Sequence, residues 1–220
     1  MKKLNTRTFV LIPMLVAVLV ILGYVNIPQP AGLSITFNMI PVAIAAMAIG
    51  PMGGAIVGGA FGLISFLQCF GICGFSGMGA ALLAATPVPA ALNALPSFLK
   101  NLYPFFLVLV QRFFPRLIDG LLLGWIFRLL RGRLKLNISF SCAATGFMAA
   151  FLNTLLFMTS LVWLFGGTEY MQNSMAGRGM LTYIVAAVGI NGVVEMIVST
   201  VLSGAIGFAL AKAGFIRDPE

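Results

Sequence analysis

Six polar side chains stand inside otherwise apolar sequence, and they define the chemistry open to this chain. Arg112 and Arg116 are four apart, Asp119 follows one turn later, and Asn153, Asn191 and Glu195 lie in later apolar runs. A guanidinium binds a carboxylate through two parallel hydrogen bonds. An amide offers both donor and acceptor, and a carboxylate accepts from hydroxyl groups. This is equipment for holding a small polar molecule with an anionic group. It is not equipment for covalent catalysis. The chain has no histidine, which excludes His-based triads, zincin motifs and His metal sites. It also lacks the G-x-x-x-x-G-K-[ST] loop of P-loop ATPases. No metal or cofactor is expected.

Each of these residues also has a plainer reading. Arg116 and Asp119, three apart on a helix, can pair with one another. Arg112 can lie at headgroup level and extend its charged end toward water. Asn153 can serve only to hold helices together. Asn191 and Glu195 are four apart and share a helical face beside Gly192. Taken together, the polar residues outline a cavity opening outward from the last three spans. Phe37, Trp163, Tyr170 and Tyr183 are placed to stack on a ligand in its outer half. The three cysteines, Cys69, Cys73 and Cys142, match no zinc or redox spacing. Cys69 and Cys73 could pair outside the cell, but small apolar filler is the favoured reading.

These side chains need elements to position them, and composition says which kind. Of 220 residues, 60% are hydrophobic and 8% charged, against roughly a quarter charged in soluble proteins. The mean hydropathy is +1.07. Thirteen basic and five acidic residues cannot cover a soluble surface of this size. The chain is therefore expected to be a polytopic membrane protein, all-α, folded as a single integral-membrane domain. At about 20 residues per span, its length allows at most about six or seven crossings.

Six spans are predicted, over approximately 9–27, 37–49, 55–70, 103–131, 138–165 and 180–212. The first is basic at its start and longer than a signal peptide's apolar region, so it is read as uncleaved. Gly50–Gly54 reads as a tight turn between the second and third spans. Gly50, Gly54, Gly58 and Gly62 recur every four residues, a smooth stripe suited to close helix packing. Residues 71–102 read as a long external loop with a partly helical piece. Span four is expected to start properly near Pro115, with 103–114 as a lead-in.

Charge placement then sets orientation. With the N-terminus inside, the cytoplasmic side receives nine basic residues: Lys2, Lys3, Arg7, Arg128, Arg131, Arg133, Lys135, Lys212 and Arg217. The outside receives only two, Lys100 and Arg178. That bias predicts both termini in the cytoplasm and removes nucleic acid as the reason for the basic excess.

The motifs, in order, resemble a family. Thr36–Pro41 (Thr-Phe-Asn-Met-Ile-Pro, with Phe37 and Asn38), Ile49-Gly-Pro51, Gly53–Gly58, Phe61–Ser65, Pro115-Arg116, Leu152–Phe157 and Val188–Glu195 look like the substrate-binding S-components of energy-coupling factor (ECF) transporters. Within that family the chain looks most like the pantothenate-type members. The resemblance implies a six-helix bundle that captures a water-soluble vitamin outside the cell. It implies docking on a membrane scaffold subunit driven by two cytoplasmic ATPase subunits. It places the substrate beneath the loops after spans one, three and five, here about 28–37, 71–102 and 166–179. It also implies scaffold docking through small residues four apart in helix one, where this sequence has Pro13 and Ala17. On that basis Arg116 and Arg112 are expected to meet a carboxylate. Asn153 and Asn191 are expected to hydrogen-bond amide or hydroxyl groups, and Glu195 to accept from a hydroxyl or anchor Arg116. Two rivals remain: a self-contained secondary transporter, and a ligand-free structural or channel-like membrane protein.

Overall fold

The computed structural model describes residues 6–25, 27–28, 34–35, 37–89 and 96–216, but not the side chains at 6, 7, 27, 28, 34, 35, 187, 188, 190 and 191. Among the described residues eight α-helices follow in order: α1 Thr6–Tyr24, α2 Met39–Ile49, α3 Pro51–Leu67, α4 Gly77–Ala85, α5 Ser97–Arg128, α6 Ile138–Phe165, α7 Glu169–Met175 and α8 Met180–Lys212. A two-residue antiparallel ribbon lies between α1 and α2, pairing Ile27 with Ile35 and Pro28 with Ser34. Among the described residues, three helical stretches are long and apolar enough to cross a membrane: Pro51–Phe70, Ile138–Phe165 and Gly192–Lys212. Thr8–Tyr24 and Met39–Ile49 are apolar but shorter. At about 1.5 Å per residue α5 is long enough to cross as well, yet it carries Arg112, Arg116 and Asp119.

α2 is the centre of the bundle. Every residue from Met39 to Met47 is buried, and α2 packs against α1, α3, α5, α6 and α8. It is apolar on all sides, as a helix enclosed by other helices must be. One core cluster joins α2 to Leu11, Leu15 and Leu19 of α1, Val57 and Phe61 of α3, Leu123 and Phe127 of α5, and Cys142 and Ala149 of α6. A second cluster lies toward the α4 end and joins Met78, Leu82, Val108, Phe157, Leu161, Phe165, Met171 and Tyr183.

The turn between α2 and α3 is tighter than Gly50–Gly54 suggests. Gly50 alone leaves helical geometry, at φ 94°, and Pro51 begins α3 at once. Proline suits a first helical turn because its missing N–H has no partner there in any case. The glycines that follow are helical because they serve packing. A β-carbon on Gly54 or Gly58 would run into the main chain of Gly120 or Arg116 on α5. At Gly62 a β-carbon would stand 2.7 Å from the Cα of Phe113. The glycine stripe is therefore the seam along which α3 and α5 approach backbone to backbone.

The fourth long helix differs most from expectation. α5 runs unbroken from Ser97 and passes through Pro104 and Pro115, where a start near Pro115 was expected. A proline inside a helix forfeits one hydrogen bond and crowds the preceding turn. Here the glycine seam with α3 holds the helix together across Pro115. A one-turn π-helix, Leu129–Arg133, then leads out of α5. The segment expected to be an external loop with a partly helical piece contains α4, whose start is capped by Ser76 Oγ accepting from the Gly79 N–H, and its last residues, from Ser97, belong to α5. Residues 90–95 lie outside the described part. α6 and α8 match their expected limits, but α8 is broken at Gly189, at φ 36° and ψ −134°. Cys69, Cys73 and Cys142 are free thiols.

Candidate functional site

α5 brings Arg112 and Arg116 into the interior, at 4% and 6% exposure. Arg112 does not extend toward water. Its Nη1 donates to Ser65 Oγ of α3 at 3.1 Å, and its Nη2 donates to Ser76 Oγ at 3.1 Å. The two serines flank the turn that joins α3 to α4, so this arginine ties that turn down. Arg116 Nη1 donates to the Arg112 carbonyl at 2.9 Å. Its guanidinium lies 4.4 Å from the ring centre of Phe61 and 4.7 Å from that of Phe157. Arg112 shares the Phe157 ring at 5.3 Å. A cation held against aromatic faces in a desolvated setting gains about 2 kcal/mol. The rings and serines fix both guanidinium groups, and each Nε remains without a hydrogen-bond partner.

The expected Arg116–Asp119 pair does not form. Asp119 is fully buried, and neither carboxylate oxygen has a hydrogen-bond partner. Its acceptors stay unmet because Arg116 turns instead to a carbonyl one turn earlier and to rings supplied by two other helices. Asp119 and Glu195 are the acidic groups whose field reaches Arg116.

Helix register places the remaining candidates. α6 and α8 run antiparallel, with Gly146 against Ser199 and Ser203, and Gly204 against Ala143. Ser199 Oγ donates to the Gly146 carbonyl at 2.7 Å. Continuing that register sets Asn153 level with Glu195. Asn153 is also one turn below Phe157, which brings it to the level of Asp119. Its Oδ1 is buried and unpartnered. The N-terminus of α2 meets the same level. A small crevice is lined by Phe37, Met39, Ile40, Ala150, Glu195 and Ser199. Between Phe37 and Met39, Asn38 is fully buried, and both heteroatoms of its amide lack partners. The side chain of Asn191 lies outside the described residues, although its backbone belongs to α8.

Two aromatic expectations change. Trp163 is 81% exposed on the outer surface of α6 and does not join the cluster. It lies near the end of a long apolar helix. Tyr183 is buried in the second core cluster, with Tyr170 packed against it. Four participants were not singled out from sequence: Ser65 and Ser76, which hold Arg112, and Phe61 and Phe157, which hold Arg116. A fifth, Gln111, is fully buried with both amide heteroatoms unpartnered. The available signal was an amide interrupting an apolar helix eight residues from an aspartate, and therefore on the same face. Among the described residues no group of three or more Cys, Asp or Glu side chains could hold a metal ion.

No protein-family model matches the chain. Two curated relatives do, over nearly its whole length. The pantothenate transporter PanT of Leuconostoc mesenteroides is 28% identical over 217 residues, covering 95% of this chain and 92% of its own. The pantothenic acid transporter PanT of Lactococcus lactis is 26% identical over 219 residues, covering 97% and 98%. The resemblance to pantothenate-type transporters carried by the ordered motifs is thus matched, end to end, by two relatives that bear that name.

Proposed function

We propose that the protein is the vitamin-binding S-type subunit of an ECF importer, and that its ligand is pantothenate. In this reading it is a multi-pass protein of the bacterial plasma membrane, with one domain and both termini in the cytoplasm. α1, α2, α3, α5, α6 and α8 form the six membrane helices. α4 and α7 then belong to the external loops, and Arg128, Arg131, Arg133 and Lys135 mark the cytoplasmic face.

The observation that carries the proposal is the pair of arginines on α5. Burying two cations in an apolar bundle is costly, and here both are fixed by Ser65, Ser76, Phe61 and Phe157. Such a pair suits a carboxylate arriving from the α4 end, with Arg116 as the principal contact and Arg112 beside it. Pantothenate also carries an amide and two hydroxyls. Asn153, Asn191 and Asn38 would meet the amide, Glu195 a hydroxyl, and Phe37 the methyl groups. The work is binding and release, with no covalent step and no cofactor.

Uptake then requires a membrane scaffold subunit and two cytoplasmic ATPases. α1 suits docking, because Phe9, Met14, Val18 and Ile21 are exposed along it. Pro13 and Ala17 lie on the same exposed side, where their small size permits close approach. Mass spectrometry of small molecules released from the detergent-purified protein tests the ligand, and pantothenate is expected. Uptake that depends on copurifying ATPase subunits tests the partnership. Uptake abolished by an ionophore, with no ATPase present, would mean a self-contained transporter instead.

A further inference from the structure

We infer that the α5 face carrying Gln111 and Asp119 reads the hydroxyl groups of the ligand, so that these two residues select a hydroxylated acid over a plain one. This rests on the pantothenate reading above and adds which side chains set its specificity. Gln111 and Asp119 are both fully buried, and all four of their side-chain heteroatoms lack hydrogen-bond partners. Eight residues apart, they lie on one face of α5, about 12 Å from one another along the axis. Pro115 stands between them at the i+4 position. It has no N–H to give to the Gln111 carbonyl, which therefore loses its helical donor.

One face thus gathers acceptors: the Gln111 carbonyl, Gln111 Oε1 and both oxygens of Asp119. The Gln111 amide nitrogen stands among them as a donor. Asn153 Oδ1, level with Asp119, adds another unpaired acceptor. Buried acceptors without donors cost stability, and native interiors keep few of them. An occupant that satisfies this face must bring several donors together with the anion that suits Arg112 and Arg116. Two hydroxyls and an amide N–H supply them. A simple carboxylate brings acceptors alone and leaves the face unmet. Sites built to hydrogen-bond a hydroxyl reject the analogue lacking it far more strongly than apolar pockets reject a missing methylene.

The test uses the full-length protein in detergent and two acids. One is pantothenate. The other is the β-alanine amide of the corresponding dimethylbutanoic acid, which keeps carboxylate, amide and methyl groups but lacks both hydroxyls. Calorimetric affinities are compared for wild type, Gln111→Met and Asp119→Asn. Wild type is expected to prefer pantothenate by about 100-fold or more. In each variant that preference is expected to fall by about tenfold or more. The ligand-free thermal midpoint of Gln111→Met should equal or exceed that of wild type, because an apolar side chain of similar volume removes the unpaired amide. An unchanged preference in both variants overturns the inference alone. So does a sodium requirement for binding that Asp119→Asn abolishes, since the acceptors would then serve a cation. If wild type binds neither acid, the pantothenate reading falls and this inference with it.

Discussion

Gly62→Ala and Gly59→Ala are the same chemical change three residues apart on α3, and the structure gives them opposite outcomes. A β-carbon on Gly62 would stand 2.7 Å from the Cα of Phe113 and 2.9 Å from the Arg112 carbonyl oxygen. Ordinary contacts of this kind are about 3.5 Å or more, so the two backbones must separate by the better part of an ångström. Neither atom belongs to a side chain that can swing away. Overpacking of this type costs about 1–3 kcal/mol. At Gly59 the nearest atom is Phe113 Cε2 at 3.3 Å, the edge of a ring that can yield by a few tenths. Alanine also favours a helix over glycine by about 1 kcal/mol. Gly59→Ala is therefore expected to be neutral or stabilising, and because the helix-propensity gain is common to both, the two variants should differ by roughly 1–3 kcal/mol. Thermal unfolding in detergent reads the difference as separated midpoints. Because the Gly62 contact lies on Arg112 itself, displacement of α5 there should also weaken pantothenate binding. Equal midpoints and equal affinities for the two variants would refute the backbone-to-backbone seam.

Three further outcomes follow from the site. Arg116→Lys keeps the charge but loses the planar group stacked between Phe61 and Phe157, so pantothenate affinity should fall about tenfold or more. If Arg116→Ala binds pantothenate with wild-type affinity in calorimetry, the carboxylate assignment is wrong. Ser76→Ala removes both the Arg112 Nη2 acceptor and the cap of α4. It should cost about 1 kcal/mol locally, read as faster amide exchange over Gly77–Ala85 and weaker binding, whereas unchanged exchange argues against the cap. Trp163→Leu should leave affinity within about twofold, since an exposed ring on the outer surface of α6 holds no part of the ligand. A loss of binding there would return Trp163 to the site.

The sequence disclosed what a single element contains and missed what several elements share. The limits of α6 and α8 as helices were legible because long apolar runs bounded by polar turns admit few other readings, whereas the break of α8 at Gly189 was not. The importance of Arg116 was legible for the same reason, as a charge standing in an apolar helix. Its partner was not. Spacing on one helix offers Asp119, but Phe61 and Phe157 come from α3 and α6, and no periodicity within α5 announces them. The passage of α5 through Pro115 was hidden likewise. The local penalty for a buried proline is about 3 kcal/mol, and what opposes it is the seam with Gly54 and Gly58 on another helix. Gln111 went unread because an amide in an apolar run looks like an interruption until its face is seen to hold Asp119.

α2 shows why the polar layer lies at depth and not at a surface. Eleven residues make a helix of about 16 Å, half the roughly 30 Å of a hydrocarbon core. A helix facing lipid could not stop there, because the main-chain groups at its end would have no partners. Enclosed by five other helices, α2 can stop, and its first turn then ends inside the protein. Asn38, Met39 and Ile40 are carried to the level of Glu195 and Ala150 as a direct result. The positive end of the α2 dipole faces the same layer, so it favours negative charge where Glu195 already stands. Lengthening α2 to full span would move Phe37 and Asn38 outward, away from Asn153 and Asp119, and would close the crevice. The short helix is therefore part of the site's construction: it opens polar depth inside an apolar bundle, and the outer helices keep lipid out of it.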